Sequence, residues 1–139
     1  MIRVAVVEDV PAIVGMVAKL HAATGIVLPF EPQVATRFLL GLLPSPLGCL
    51  WVSQGPDGPC GFLAASVGAA SISMRLVAME HGWWAEQGGL QLLRAYLGWA
   101  KEQGCFAARM STPPGNERAA MILQRMGFDL AEQAWVKVI

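Results

Sequence analysis

After Trp83-Trp84 the apolar period of this chain changes from two to 3.6. Upstream, Ile72, Met74, Leu76, Ala78 and Glu80 alternate with Ser73, Arg75, Val77, Met79 and His81, the pattern of a strand with two distinct faces over about Ile72–His81. Downstream, Leu90, Leu93, Leu97 and Ala100 form one helical stripe, and Gln91, Arg94, Gly98 and Lys101 form the opposite one. Gly104 is placed to end that helix as its C′ residue. A strand that turns into an amphipathic helix through two glycines puts the chain in the α/β (α+β) class.

The flanking sequence extends the same reading. Ile2–Val7 is rich in β-branched residues and reads as a first strand. Asp9 offers a helix N-cap, and Pro11 sits in the first turn, where its missing N–H costs little. Val10, Ile13, Val14, Val17 and Leu20 make the stripe of that helix, which Gly25 stops. A second helix starts near Glu31-Pro32, carries Val34, Phe38 and Leu42 on one face, and ends at Pro44. Strands at Gly48–Ser53 and Gly61–Val67 flank the turn sequence Gln54–Pro59, so they form a hairpin. Cys105–Met110 reads as a short strand, Asn116–Met126 as a helix ended by Gly127, and Glu132–Val138 as a closing strand. The order is β-α-α-β-β-β-α-β-α-β, with no repeat or linker. We expect one domain over residues 1–139, large enough for a real core without metal or disulfide staples.

Composition narrows the function classes. Ten basic residues balance ten acidic ones, and no basic cluster offers a grip on nucleic acid. No apolar run reaches a membrane span, and Glu8, Asp9 and Pro11 interrupt what could otherwise be a secretory leader. Cys49, Cys60 and Cys105 are an odd, widely spaced set without a CxxC pair. We therefore expect a cytoplasmic protein with buried thiols and no metal site. The apolar fraction of 55% fits either a dense core or a self-association surface. It leads us to expect a homodimer with an edge strand and Trp135 as contacts.

Several stretches in this order resemble the GNAT superfamily of acyl-CoA-dependent N-acetyltransferases. Asn116-Glu-Arg-Ala119, Leu123 and Gly127-Phe128 follow the family pattern for the helix after the cofactor cleft. Gly89-Leu-Gln-Leu-Leu-Arg-Ala95 with Trp99-Ala100 looks like the cofactor helix, and Glu132–Lys137 like the last strand. The resemblance covers nearly the whole chain. It implies a mixed, mostly antiparallel central sheet flanked by helices, with acetyl-CoA as co-substrate and a small-molecule or peptide amine as acceptor. Two departures stand out. With Gly89 aligned to the last position of the family loop, Gln87 occupies a glycine position and Trp84 an Arg or Gln position, and the usual Pro-x-x-Arg-Gly approach is missing. Leu123 stands where many relatives carry a Tyr that protonates the departing thiolate.

Two residue sets carry the candidate chemistry. Gly88-Gly89 either makes a plain strand-to-helix turn or presents open N–H groups and a helix dipole to a pyrophosphate. The resemblance favours the second and implies cofactor contacts at Met79, His81, Gln87, Gly88, Gly89, Leu90 and Asn116, with the strand amide polarising the thioester. Asn116 also suits a helix N-cap. The attacking amine must be neutral, so a general base is needed. Glu80 on an apolar face is either that base or one half of an ion pair with an arginine. His81, on the opposite face, is the second candidate. Leu123 and the altered loop keep a catalytically degenerate binding or assembly module open as the alternative, and beyond it a structural subunit that dimerises through its apolar surface.

Overall fold

The structure, a computed structural model, describes residues 1–139. Its core is a five-stranded sheet in the order β1 (Ile2–Val4), β2 (Gly48–Gly55), β3 (Gly58–Ala69), β4 (Leu76–Ala85), β5 (Ala107–Arg109). The first four strands run antiparallel to their neighbours, and β5 runs parallel to β4. The helices are α1 (Val10–Thr24), α2 (Pro32–Leu42), α3 (Gly89–Glu102) and α4 (Glu117–Arg125). This is the expected mixed, mostly antiparallel sheet flanked by helices. No helix is long and apolar enough to cross a membrane.

Strand β3 organises both layers. Phe62 and Ala64 point to one face, where they meet Ile13 and Met16 of α1 and Leu39 and Leu42 of α2. Leu63 and Ala65 point to the other, where they meet Leu92, Leu93 and Tyr96 of α3 and Leu123 of α4. The period of two in the strand and 3.6 in the helices thus buries two apolar clusters on opposite sides of one sheet.

Four sequence expectations change. Strand β4 begins at Leu76 and runs through Trp83-Trp84 to Ala85, while Ile72 and Met74 are 94% and 95% exposed in the preceding turn. Alternation there reflected no buried face. Glu132–Val138 forms no strand, and the segment is exposed throughout. The three thiols are free but only partly buried. Finally, Asp9 precedes α1 without capping it. Its carboxylate instead accepts from the Val6 N–H at 2.8 Å and from the Arg3 guanidinium at 2.7 and 2.9 Å.

That bidentate pair ties β1 to the start of α1 and, through Arg3 and the Gln54 side-chain oxygen at 2.8 Å, to the end of β2. The Arg3 hydrogen bonds hold the Asp9 carboxyl below its usual range, with the Val6 N–H adding to the effect against burial. A depressed carboxyl contributes stability above its ordinary pKa and loses it as pH falls through the folded value. Asp9→Asn should therefore cost ~1–3 kcal/mol near neutral pH, the worth of hydrogen bonds to a charged group. Urea unfolding at about pH 7 and about pH 2 should show that difference shrinking in acid; an undiminished gap would contradict the ion-pair account.

Candidate functional site

The site is built where β4 and β5 part. They pair only at Val77–Ala107, Ala78–Ala108 and Met79–Arg109. Just beyond, Ala65 of β3 faces Glu80 while Ala64 faces Gly82, so His81 is an extra, unmatched residue in β4. Such a bulge bends its strand and increases the local twist. The strands separate at the same place, and Glu80 lies at the opening.

The Glu80 carboxylate accepts a hydrogen bond from the Ser111 N–H, 3.2 Å away across the gap. None of the chain's ion pairs includes it, which rules out the arginine-paired alternative in this structure. Burial raises its pKa to about 7, against a smaller lowering by the Ser111 N–H. A carboxyl poised there can accept a proton near neutral pH. Beside it, Tyr96 is fully buried and donates its hydroxyl proton to the Arg109 carbonyl at 2.7 Å. Burial raises the Tyr96 pKa strongly, so this phenol stays protonated.

His81 faces the other way, as the alternation suggested. Its Nε2 lies 2.6 Å from the Ser66 hydroxyl, and its ring meets Phe38 of α2 edge-on at 5.1 Å between centroids. Burial lowers its pKa, which favours the neutral imidazole. Met79 is the last β4 residue paired to β5, and its side chain approaches Gly68.

The start of α3 is shaped by close contacts. Gly88 has φ +82°, and a Cβ there would fall 2.3 Å from the Ser53 hydroxyl. Only glycine fits both the left-handed backbone and the contact. No side chain caps α3, so its first N–H groups remain open donors at the positive end of the helix dipole. The Trp83 indole N–H donates to the Gly89 carbonyl at 3.1 Å and fixes the turn from one side. At Gly89 itself a Cβ would meet nothing closer than 3.6 Å. A cleft of about 460 Å³ beside this turn is lined by Ile2, Ser53, Gln54, Gln87, Gly88 and Gln91 among others. Gln87 and Gly88 thus share a cleft with β1 and β2, and Glu80 and His81 do not line it. Leu90 packs partly buried against the α3-side core.

Asn116 is an N-cap: its side-chain oxygen accepts from the Ala119 N–H at 3.2 Å. Leu123 is 9% exposed and packed in the core. Burial pushes the Cys49 thiol up to about 11, away from nucleophilic use. No three His, Cys, Asp or Glu side chains gather as metal ligands would. Sequence reasoning missed Trp83, Ser66 and Ser111. Only Ser66, a hydroxyl inside an apolar strand, left a trace in the sequence.

Neither a family model nor a curated protein sequence matches the chain. Solved structures do. A transcriptional regulator from Bacillus halodurans is 21% identical, with TM-score 0.80, covering 100% of this chain and 99% of its own. A predicted acetyltransferase from Clostridium acetobutylicum, solved with acetyl-CoA, is 14% identical, with TM-score 0.79, covering 100% and 95%. The aminoglycoside N-acetyltransferase AAC(6')-Iy, solved with CoA, is 17% identical, with TM-score 0.78, covering 100% and 93%. The fold is therefore that of the GNAT acetyltransferases, over the whole chain.

Glu80 also makes a prediction about stability. Its folded pKa lies above the ordinary 4.5. A carboxyl raised by burial favours the folded state while protonated, and that contribution is lost as pH rises from about 4.5 to about 7. Glu80→Gln keeps an acceptor for Ser111 and removes the titration. The variant should match wild type near pH 4 and exceed it above about pH 8 by up to ~3 kcal/mol. Parallel stability curves for the two proteins between those limits would show that Glu80 titrates normally.

Proposed function

We propose that this chain is an N-acetyltransferase that uses acetyl-CoA as co-substrate and a primary amine of a small molecule or peptide as acceptor. The observation that carries this reading is a partly buried carboxylate without a counter-ion, Glu80, at the point where the pairing of β4 and β5 ends. Two further features support it. The start of α3 is uncapped and lined by Gly88 and Gly89, which suits a pyrophosphate. The solved relatives of the same fold include one holding CoA and one holding acetyl-CoA.

The chemistry assigned to the chain is direct transfer. The neutral amine nitrogen attacks the thioester carbonyl carbon, the carbon–sulfur bond breaks, and the acetyl group moves to nitrogen. Glu80 takes the proton the amine loses, directly or through a water. An N–H of β4 near Met79 and His81 polarises the carbonyl. Holding both reactants along one strand supplies proximity, worth several kcal/mol. Water protonates the departing thiolate, because Leu123 cannot and Tyr96 is committed to the Arg109 carbonyl. Three free cysteines suit a reducing compartment, and the reading extends to one domain acting as a cytoplasmic homodimer.

A specific observation favours a second reading, a binding module that retains the fold without catalysis. Leu123 belongs to the core, so its helix presents no proton donor, and the β4–α3 connection is only Glu86–Gly88. The two readings separate on three measurements. Acetyl-CoA at a hundred times its dissociation constant should stabilise the protein by about 2.7 kcal/mol. Gly89→Val should abolish that shift without lowering the melting temperature of the free protein, since a Cβ finds room there. Glu80→Gln should lower the rate with a responsive amine by ~10²–10⁴-fold while leaving CoA affinity unchanged. CoA binding without turnover of any amine supports the module, and no CoA binding rejects the acetyltransferase reading.

A further inference from the structure

The face of β4 turned toward α1 and α2 carries a polar pair that the transfer chemistry leaves unused. The Ser66 hydroxyl of β3 and Nε2 of His81 lie 2.6 Å apart, and the His81 ring meets the Phe38 ring edge-on. The other ring nitrogen, Nδ1, makes no hydrogen bond within the chain. The bulge gives this ring its room. Gly82 follows His81 on the same face, and a Cβ there would fall 2.9 Å from the Phe62 ring. With glycine at that position, His81 is the only side chain the bulge presents on this side.

The surroundings are small or apolar. Along this face of β3 the residues shrink from Phe62 through Ala64 and Ser66 to Gly68, and the Met79 side chain lies against Gly68. On α2, Val34 and Phe38 stand one turn apart and are 50% and 46% exposed, whereas Leu42, a further turn along, is buried. Apolar groups thus border a serine–histidine pair that is itself open to solvent. Charge limits what can rest there. Neither α1 nor α2 contains a carboxylate, and their titratable side chains are Lys19, His21 and Arg37. Glu86, just past β4, is paired with Lys19, which leaves Glu31 before α2 as the free carboxylate of this region. A ligand with several ammonium groups would meet cations and too few counter-ions. One amine on an apolar body suits the setting.

On the acetyltransferase reading, we infer that Ser66, His81 and Phe38 form the acceptor subsite for a monoamine with an aromatic body, and that Nδ1 of His81 takes the proton with which this amine arrives. An alkylamine with a pKa of about 10 is an ammonium near neutral pH. It therefore loses two protons on its way to an amide. The first passes to Nδ1 and frees the nitrogen lone pair. Before and after that step Nε2–H donates to the Ser66 oxygen, so Ser66 is a positioning residue. Attack forms the carbon–nitrogen bond and breaks the carbon–sulfur bond, and the second proton goes to Glu80. His81 is exposed and returns its proton to water. Beyond Met79 no residue of β5 pairs with β4, so the two faces of the strand communicate across that open edge. The Phe38 ring packs against the aromatic body. Burial lowers the His81 pKa and keeps the ring neutral and receptive. Burial is the only cause: Lys19 and His21 of α1, Arg37 of α2, Cys60 of β3 and Glu80, which faces away, do not contribute.

Phenethylamine and spermidine are the probes that test this on the full chain. His21 and His81 are its two histidines, so NMR gives two imidazole C2-proton signals, assigned with His81→Gln. Phenethylamine should shift the His81 signal and not that of His21, and spermidine should shift neither. In the transfer assay Phe38→Ala should raise KM for phenethylamine by about tenfold with kcat little changed. His81→Gln should lower kcat/KM near pH 7 by about 10²-fold and recover most of it near about pH 10, where free amine is abundant. Ser66→Ala should show the same pH-dependent loss to a smaller extent, and Ser66→Thr should restore the rate. A His81 signal that phenethylamine leaves unmoved, a preference for spermidine, or a His81→Gln loss equal at every pH overturns the inference. Amine turnover with the His81 signal unmoved removes this subsite and leaves the acetyltransferase reading standing. A Phe38-dependent shift without turnover does the reverse: the binding subsite stands, and the proton step falls with the catalytic reading.

Discussion

Burial of β3 on both faces is the constraint on which the rest of the structure depends. Phe62, Leu63, Ala64 and Ala65 are consecutive and all at most 2% exposed. Because successive side chains point to opposite faces, these four residues belong to two different cores. Each large side chain fully removed from water contributes about 1.5–3 kcal/mol. Packing on one side thus cannot be lost without exposing the strand that the other side uses. The small residues matter as much as the large ones. A Cβ on Gly82 would fall 2.9 Å from the Phe62 ring, and one on Gly61 would fall 2.7 Å from Ala85. A side chain at either position would have to displace those atoms.

The same close pairing explains how a charge-poor chain places a carboxyl inside itself. With β4 fixed to β3, one extra residue cannot be absorbed smoothly and appears as the bulge at His81. β4 and β5 stay paired up to Met79 and then diverge, and Glu80 occupies the opening. Few cations are available in this sequence, and the nearby ones are engaged elsewhere: Arg109 with Glu132, and Arg75 over the Phe106 ring. Desolvation without a counter-ion then raises the carboxyl pKa, the direction a base at neutral pH requires. The opposite face receives a neutral imidazole held by a serine. Strand alternation thus places two proton acceptors on two sides of the sheet, next to the bulge.

What the sequence revealed follows from what periodicity can encode. The helices, the hairpin and the turn at Gly88-Gly89 were legible because each has a repeat or a breaker of its own. So was the opposition of Glu80 and His81, since the bulge breaks the alternation only beyond His81, where Gly82 lies on the Phe62 side as His81 does. The start of β4 was misplaced because Ile72 and Met74 alternate as a strand would while standing in solvent. Alternation reports a face and does not report what covers it. The tail failed as a strand for the related reason that strand character needs a paired backbone, and its backbone groups pair with nothing. Asp9 looked like a cap because its position suits one, but Arg3 offers the carboxylate a stronger, charge-assisted partner. The Trp83–Gly89 and Glu80–Ser111 contacts join residues that no local pattern connects.

The connection between β4 and α3 is short and closely held. Residues Glu86–Gly88 turn the chain only because Gly88 adopts a left-handed backbone and presses against Ser53 with no side chain between them. Trp83 holds the Gly89 carbonyl, and the Glu86 N–H extends the hairpin by bonding the Cys60 carbonyl at 2.9 Å. These contacts engage the carbonyl of Gly89 and the side facing β2. They leave the first N–H groups of α3 uncapped. A capping Ser, Thr, Asp or Asn at the Gly88 position would add about 1 kcal/mol to α3, but the left-handed backbone and the Ser53 contact admit only glycine there. A closely held turn therefore stands next to a helix end whose first N–H groups no side chain caps.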